Sequence, residues 1–103
     1  MEHIIGAIHW NDILSKPGKS LICFTAKWCG PCKTLKPKLE SLAHLEQYSE
    51  IGFYTIDIDQ CEELCTQLNI TSIPTIIILN SGVEHKCIVG ANYQQIVDGL
   101  KTL

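Results

Sequence analysis

Hydrophobic residues along the chain recur in two alternating patterns, short apolar runs and longer stretches with helical spacing. The runs "SLICFTA", "IGFYTIDID" and "PTIIILN" are typical of strands, and the first indicates a strand buried on both faces at the centre of a sheet. We also predict a short first strand from Ile4, Ile5 and Ile8. The segment "VEHKCIVG" follows "PTIIILN" after the turn "NSG", which predicts an antiparallel hairpin.

Helical spacing first appears between the first two predicted strands. A short first helix there ends at "KPGKS" and has its apolar positions at Trp10, Ile13 and Leu14. We predict a longer second helix from about Gly30 to Gln47. Pro37 lies inside it and is expected to kink it, because proline lacks a backbone donor.

Two further helices are predicted from capping patterns. Asp59 and Glu62 resemble a capping box that opens a helix through Leu68, and Asn92 with Gln95 opens the last helix. Three strands alternating with helices, followed by a hairpin and a helix, favour an α/β fold with a mixed central sheet covered on both sides.

Composition narrows the class of protein. The 103 residues, 46% hydrophobic and 18% charged, are typical of one soluble globular domain spanning residues 1–103 with a sizeable core. A net charge of −3 without arginine argues against a nucleic-acid partner. No run of 18 apolar residues predicts a membrane span, and the N-terminal segment lacks the basic start of an export signal, so we expect a cytoplasmic protein.

The stretch "AKWCGPCK" carries the candidate chemistry. Two cysteines at this spacing can belong to a zinc site, a structural disulfide or a redox-active dithiol. Cys29 is predicted at the N-terminus of the second helix, where free N–H groups and the helix dipole stabilise a thiolate. There its sulfur can accept from the N–H of Cys32, while Gly30 removes bulk beside it and Pro31 has no N–H to leave unpaired.

Local charge favours the same interpretation. Six lysines and no acidic residue lie between Ile13 and Leu39, and a positive neighbourhood lowers the pKa of a thiol. Cys29 is expected to attack a partner's disulfide, and the more sheltered Cys32 is expected to resolve the mixed disulfide. Such a protein transfers two electrons without binding an organic cofactor.

The motifs resemble the thioredoxin family along the whole chain. "WCGPCK" is similar to the family's active site, "LICFTA" to its central strand, "SIPT" to the loop with a cis proline and "VGAN" to a glycine loop, and Pro37 matches the family's helix proline. The resemblance implies a thioredoxin fold, in which a five-stranded mixed sheet of order 1-3-2-4-5 carries two helices on each face.

The resemblance also implies a function. It implies a cytoplasmic protein-disulfide reductase, an electron carrier in cell redox homeostasis, with Cys29 as nucleophile and Cys32 as resolving thiol. It implies recycling by NADPH-dependent thioredoxin reductase, and disulfide-containing clients such as peroxiredoxins and reductases, with the chain acting as a monomer. The partner strand would lie in an apolar groove formed by Trp28, Ile73, Pro74 and Gly90, with Pro74 in the cis form.

The chain departs from the family pattern beneath the motif. Many members have a buried aspartate where this chain has Cys23, and a lysine often paired with it is replaced by Thr55. A buried carboxylate would raise the pKa values of the thiols by like-charge repulsion. Its absence therefore predicts an unhindered Cys29 thiolate and a slower deprotonation of Cys32.

Two alternatives from other classes stay open at this stage. Cys29 and Cys32 could join Cys61 and Cys65 in a metal-binding module with four sulfurs, or the chain could be a redox-inactive scaffold. We expect Cys61 and Cys65 to be exposed or half-buried passive thiols on one face of a helix, with an oxidation switch as the hypothesis to test. Cys87, on a predicted edge strand, is assigned no role.

Overall fold

The computed structural model describes residues 1–103, which form five strands, four α-helices and one 3-10 turn. In chain order the elements are β1 (Glu2–His3), α1 (Ala7–Ser15), β2 (Lys19–Thr25), α2 (Gly30–Ala43), the 3-10 turn (Glu46–Tyr48), β3 (Ile51–Asp57), α3 (Glu62–Gln67), β4 (Thr75–Asn80), β5 (Val83–Val89) and α4 (Tyr93–Lys101). None of the helices is long and apolar enough to cross a membrane.

The strands form one mixed sheet in the order β1-β3-β2-β4-β5. β1, β3 and β2 are parallel, whereas β4 runs antiparallel to β2 and β5 antiparallel to β4. β2 is the central strand, and its residues Leu21 to Phe24 are all buried. The predicted strand order, the central position of "SLICFTA" and the terminal hairpin are confirmed.

Alternating side chains of the sheet build two separate core layers. Leu21 and Cys23 of β2 pack with residues of α2 and α4 on one face. Ile22 and Phe24 pack with residues of α1 and α3 on the other face. The two helices per face follow from this alternation, because successive side chains of a strand point to opposite sides.

The first strand differs from its prediction. It covers Glu2–His3, and of the three isoleucines that predicted it Ile4 is buried. Ile5 and Ile8 are 80% and 82% exposed, and Ile8 belongs to α1. The predicted strand does not reach Ile8 because Gly6, at φ 147°, is the N-cap residue of α1.

Two other predicted boundaries also shift. α2 ends at Ala43 rather than Gln47, because the chain then makes the 3-10 turn that buries Tyr48. β3 ends two residues early, at Asp57.

The capping box predicted for α3 is wrong, while the one predicted for α4 is partly present. The N-cap residue of α3 is Cys61, which makes no side-chain capping bond, and the backbone N–H of Asp59 donates to the Asp57 carboxylate instead. The predicted start of α4 is confirmed, because the Asn92 side chain accepts from the Gln95 N–H at 3.1 Å.

The turn between β4 and β5 requires glycine at its second position. Ser81 and Gly82 both have positive φ, 50° and 81°, as in the tight turns that match the twist of a hairpin. A Cβ atom at Gly82 would lie 2.3 Å from the carbonyl oxygen of Leu14, at the end of α1. The hairpin therefore packs its turn against the backbone of the first helix.

We expect Gly82→Ala to lower the free energy of unfolding by about 2–4 kcal/mol, since backbone strain and a collision with backbone atoms add together. Gly18→Ala is the matched control, because Gly18 also has positive φ, 110°, but a Cβ atom added there would meet no heavy atom within 4 Å. Urea unfolding of both variants measures the difference. Equal losses would show that the contact with Leu14 relaxes freely.

Candidate active site

The two motif cysteines lie where β2 has ended and α2 begins. Cys29 is the N-cap residue of α2, and Gly30 and Pro31 occupy the first two helical positions. The Cys29 Sγ accepts a hydrogen bond from the backbone N–H of Cys32 at 3.2 Å, as predicted. The structure holds the two residues as a disulfide, with their Cα atoms 5.3 Å apart.

Apolar side chains pack around the disulfide. Cys29 and Cys32 form a small buried cluster with Ala26, against which Ile58 and Ile73 pack. The two cysteines are 4% and 3% exposed. In the oxidised state the two cysteines are therefore almost equally buried, and their exposure does not show which sulfur attacks.

An apolar cleft of about 360 Å³ lies next to the disulfide. It is lined by Trp28, Ile58, Ile70, Thr71, Ser72 and Ile73. The Trp28 side chain is 66% exposed, and its indole N–H donates to the Asp59 carboxylate at 2.8 Å. Asp59 thereby fixes the orientation of the largest side chain of the cleft. The capping pattern with Glu62 predicts Asp59 as a helix cap, and no pattern in the sequence links it to Trp28.

Pro74 follows the cleft residue Ile73, and Gly90 is hydrogen-bonded to Pro74. The Ile73-Pro74 peptide bond is cis, as predicted. The Gly90 N–H donates to the Pro74 carbonyl at 2.8 Å, which holds the end of β5 beside the start of β4. The backbone N–H and C=O of Ile73 make no hydrogen bond within the chain. Of the four residues predicted to form the groove, Trp28 and Ile73 therefore line the cleft, whereas Pro74 and Gly90 lie next to Ile73 outside its lining.

The comparisons with known proteins agree with this geometry. The Thioredoxin family model matches residues 3–102. The chain belongs to the thioredoxin family. It is 40% identical over 78 residues to a thioredoxin of Echinococcus granulosus, an alignment covering 75% of this chain and 71% of that protein. The X-ray structure of Fasciola hepatica thioredoxin superposes with a TM-score of 0.90 at 29% identity, covering 99% of this chain and 98% of that one.

A further relative places such a domain in a larger protein. The chain is 38% identical over 88 residues to the bifunctional thioredoxin reductase/thioredoxin of Mycobacterium leprae, an alignment covering 85% of this chain and 19% of that protein. Family membership and the paired Cys29 and Cys32 together make this chain a dithiol-disulfide oxidoreductase of the protein-disulfide reductase type.

This thioredoxin-family chain places no carboxylate beneath its disulfide at the position of Cys23. Cys23 is buried, and burial raises the pKa of its thiol to about 12, although the nearby Lys36 ammonium opposes the shift. Cys23 lies in register with Thr55 of β3, whose buried hydroxyl hydrogen-bonds to His3 Nδ1. A neutral thiol and a neutral hydroxyl thus occupy the two positions where the family often has an acid and a lysine.

The prediction for Cys61 and Cys65 is wrong in one respect, because the structure buries both residues. Cys61 is the N-cap residue of α3, and its thiol donates to the Ile4 carbonyl at 3.5 Å. Burial is the main factor that raises the pKa of both thiols, and Cys65 reaches about 11. Thiols that stay protonated at neutral pH react slowly, which favours a passive role.

The four sulfurs of the alternative metal module do not come together. Cys61 and Cys65 pack with α1, β2 and β3, whereas Cys29 and Cys32 form their own cluster. No group of three or more histidine, cysteine or acidic side chains is arranged to hold a metal ion. Cys87 lies exposed on the edge strand β5.

Proposed function

We propose that Cys29 is the nucleophile of this disulfide reductase and that Cys32 is the resolving thiol. The observation that carries the assignment is the capping bond from the Cys32 N–H to the Cys29 sulfur at the start of α2. In the reduced protein this N–H and the helix dipole stabilise negative charge on the N-cap sulfur. Cys32, in the first turn, has no equivalent donor ahead of it.

The reaction then follows in two exchanges. The Cys29 thiolate attacks one sulfur of the substrate disulfide, forming a mixed disulfide and releasing one substrate thiolate. Cys32 loses its proton and attacks the Cys29 sulfur, which closes the Cys29–Cys32 disulfide and releases the second substrate thiolate. Two electrons have passed to the substrate, and its two thiolates take up two protons.

Substrate binding is assigned to Trp28 and Ile73 of the apolar cleft, together with Pro74 and Gly90 beside it. The free N–H and C=O groups of Ile73 can pair with an extended substrate segment, which is recognition by strand addition. Trp28 covers the segment from the side, with its ring held by Asp59. Backbone pairing selects shape rather than sequence, which suits a reductase with many clients.

The purified protein is expected to accelerate the reduction of insulin by dithiothreitol, measured as the turbidity of the released B chain. Variants at Trp28 should slow this reaction while leaving the reduction of a small aromatic disulfide less affected. An absence of acceleration would support the redox-inactive scaffold instead.

Electrons for turnover are proposed to come from NADPH through a thioredoxin reductase. The support is the Mycobacterium leprae relative, whose name joins a thioredoxin reductase and a thioredoxin in one protein. Peroxiredoxins, and reductases that form a disulfide during turnover, are the proposed clients. Replacing dithiothreitol in the insulin assay by NADPH and a thioredoxin reductase should give turnover followed at 340 nm.

The proposed place of action is the cytoplasm, and the proposed state is a monomer. Four cysteines without a disulfide partner, one of them exposed, suit a compartment that keeps thiols reduced. Fractionation of cells that produce the protein from its own gene tests the first proposal. Sedimentation of the reduced protein tests the second.

A further inference from the structure

Charge is distributed very unevenly around the disulfide. Residues 13–39 contain six of the eight lysines and none of the eleven acidic residues. Three of these lysines lie within a few residues of the disulfide, and all three are exposed. We call Lys27, Lys33 and Lys36 the α2 lysine cluster. In a chain of net charge −3, this cluster is a local region of the opposite sign.

The α2 lysine cluster has no partner inside the protein. The single ion pair joins His9 and Glu2, and none of the three cluster ammonium groups makes a hydrogen bond. Two of the other five lysines are engaged, since Lys19 donates to the Leu103 carbonyl and Lys38 lies 5.5 Å from the centre of the Tyr93 ring. The cluster therefore contributes no attractive contact to the fold that would explain its position.

The cluster also places positive charge at the N-terminal end of α2, where a helix favours negative charge. Lys27 precedes the N-cap of α2, Lys33 follows in its first turns, and the first turn contains no acid. Positive charge at this end is unfavourable to the helix dipole. Lys33 and Lys36 lie three residues apart, where like charges repel.

Two other helices of the same chain have charges that suit the helix dipole, as α2 does not. α3 has Glu62 and Glu63 in its first turn, and α4 has Lys101 in its last. Local rules are broken mainly where function requires it. The exception at α2 borders the disulfide directly, where positive charge favours both the Cys29 thiolate and a partner of negative charge.

The opposite side of the site carries the opposite charge. Asp57 is the last residue of β3 and Asp59 follows two residues later. The Asp59 carboxylate accepts a hydrogen bond from the Trp28 indole. A partner that enters between Trp28 and α2 therefore meets carboxylates on one side and free ammonium groups on the other. Complementary charges of this kind orient an encounter and raise its rate.

We infer that the α2 lysine cluster binds carboxylates of the substrate, so that this reductase prefers proteins whose disulfide is flanked by acidic residues. The inference rests on the proposed function and names its substrate class. Exposed ammonium groups facing carboxylates change the rate of productive encounter more than the stability of any final contact.

Two peptides with one internal disulfide each provide the test, one with aspartate beside both cysteines and one with asparagine in the same places. The pre-reduced protein is mixed with each peptide, and the single-turnover rate constants are compared. We expect the aspartate peptide to react about tenfold faster at low salt, and this preference to fall toward about twofold at roughly 0.5 M salt.

Lys27→Gln/Lys33→Gln/Lys36→Gln is expected to bring the ratio of the two rate constants close to one. The ratio cancels any change in the Cys29 thiolate, because both peptides meet the same sulfur. The control Lys16→Gln/Lys86→Gln/Lys101→Gln changes the net charge equally but away from the disulfide, and should keep the wild-type ratio. Thermal unfolding shows that both triple variants fold.

Each other outcome overturns the inference. Equal rates for the two peptides with wild-type protein, or a preference that survives in the cluster variant, would reject the carboxylate-binding surface while leaving the proposed function intact. Failure to reduce either peptide would reject the proposed function and the inference with it. A DNA oligonucleotide that binds wild-type protein but not the cluster variant, with no preference between the peptides, would assign the cluster to nucleic acid.

Discussion

Replacing Cys29 by serine is expected to reduce insulin reduction to the background rate of dithiothreitol alone. A serine hydroxyl cannot form the mixed disulfide through which both electrons pass. The fold should survive, because the N-cap position of α2 accepts serine well and its oxygen can replace the sulfur as acceptor for the Cys32 N–H. Loss of activity with the unfolding midpoint of the reduced wild-type protein separates chemistry from folding.

Cys32→Ser should fail at a later step. Cys29 can still attack, so the variant should accumulate as a disulfide-linked complex with its substrate, visible as a band on a non-reducing gel that dithiothreitol removes. The same variant exposed to a cell extract should capture client proteins. Cys87→Ser, which removes an exposed thiol on β5, is the control and should keep full activity without trapping.

The two variants together test which sulfur attacks. If Cys29→Ser trapped substrates as efficiently as Cys32→Ser, the order of the two exchanges would have to be reversed. If neither trapped a substrate from a reducing extract, the disulfide would have a structural role. The capping bond at the start of α2 makes the first result unexpected, because that N–H stabilises charge on one of the two sulfurs.

Much of the fold could be predicted because the hydrophobic pattern of the sequence agrees with the burial of the same residues in the structure. β2 is apolar over four consecutive buried residues, and such a run is typical of the centre of a sheet. The first strand was placed wrongly because isoleucine has the same β propensity whether it ends exposed or buried. Ile5 and Ile8 are exposed since Gly6 starts a helix there, and the conformation of one glycine is not visible in a hydrophobic pattern.

The site was predictable where one short motif carries it. Spacing and position placed Cys29 at the helix N-terminus, and the resemblance placed Pro74 and Gly90 near it. The bond from Trp28 to Asp59 joins residues 31 positions apart, so only the packing of two loops brings them together. The burial of Cys61 is not visible in the sequence, because its thiol donates to the Ile4 carbonyl and only the packing of the chain brings these distant residues together.

Cys23→Asp is expected to change both the stability and the chemistry of the protein. Cys23 is 3% exposed, so the new carboxylate would be buried and its pKa raised above the ordinary value of an aspartate by desolvation. The folded state would then hold its proton more tightly than the unfolded chain. The tighter binding of this proton by the folded state therefore stabilises the variant fully below the unfolded pKa of about 4. This stabilisation is lost as pH rises through the folded pKa.

At pH 7 we expect the Cys23→Asp variant to be about 2–4 kcal/mol less stable than wild type, and at about pH 4 much closer to it. Urea unfolding at several pH values measures this slope. Cys23→Asn is the matched control, since it has nearly the same shape and should lose stability equally at both pH values. The nearby Lys36 ammonium offsets part of the loss, so Cys23→Asp/Lys36→Gln should be less stable at pH 7 than Cys23→Asp alone.

The same carboxylate should speed the second exchange. In wild-type protein Cys23 has a pKa of about 12 and keeps its own proton at neutral pH, so it cannot accept the proton that Cys32 must lose. A carboxylate at this position can accept it, and the mixed disulfide should then resolve several times faster in stopped-flow measurements at pH 7. If Cys23→Asp and Cys23→Asn both resolved the mixed disulfide at the wild-type rate, the proton of Cys32 would leave directly to water. The thiol at position 23 would then be a packing residue of the α2 layer, without influence on the reaction above it.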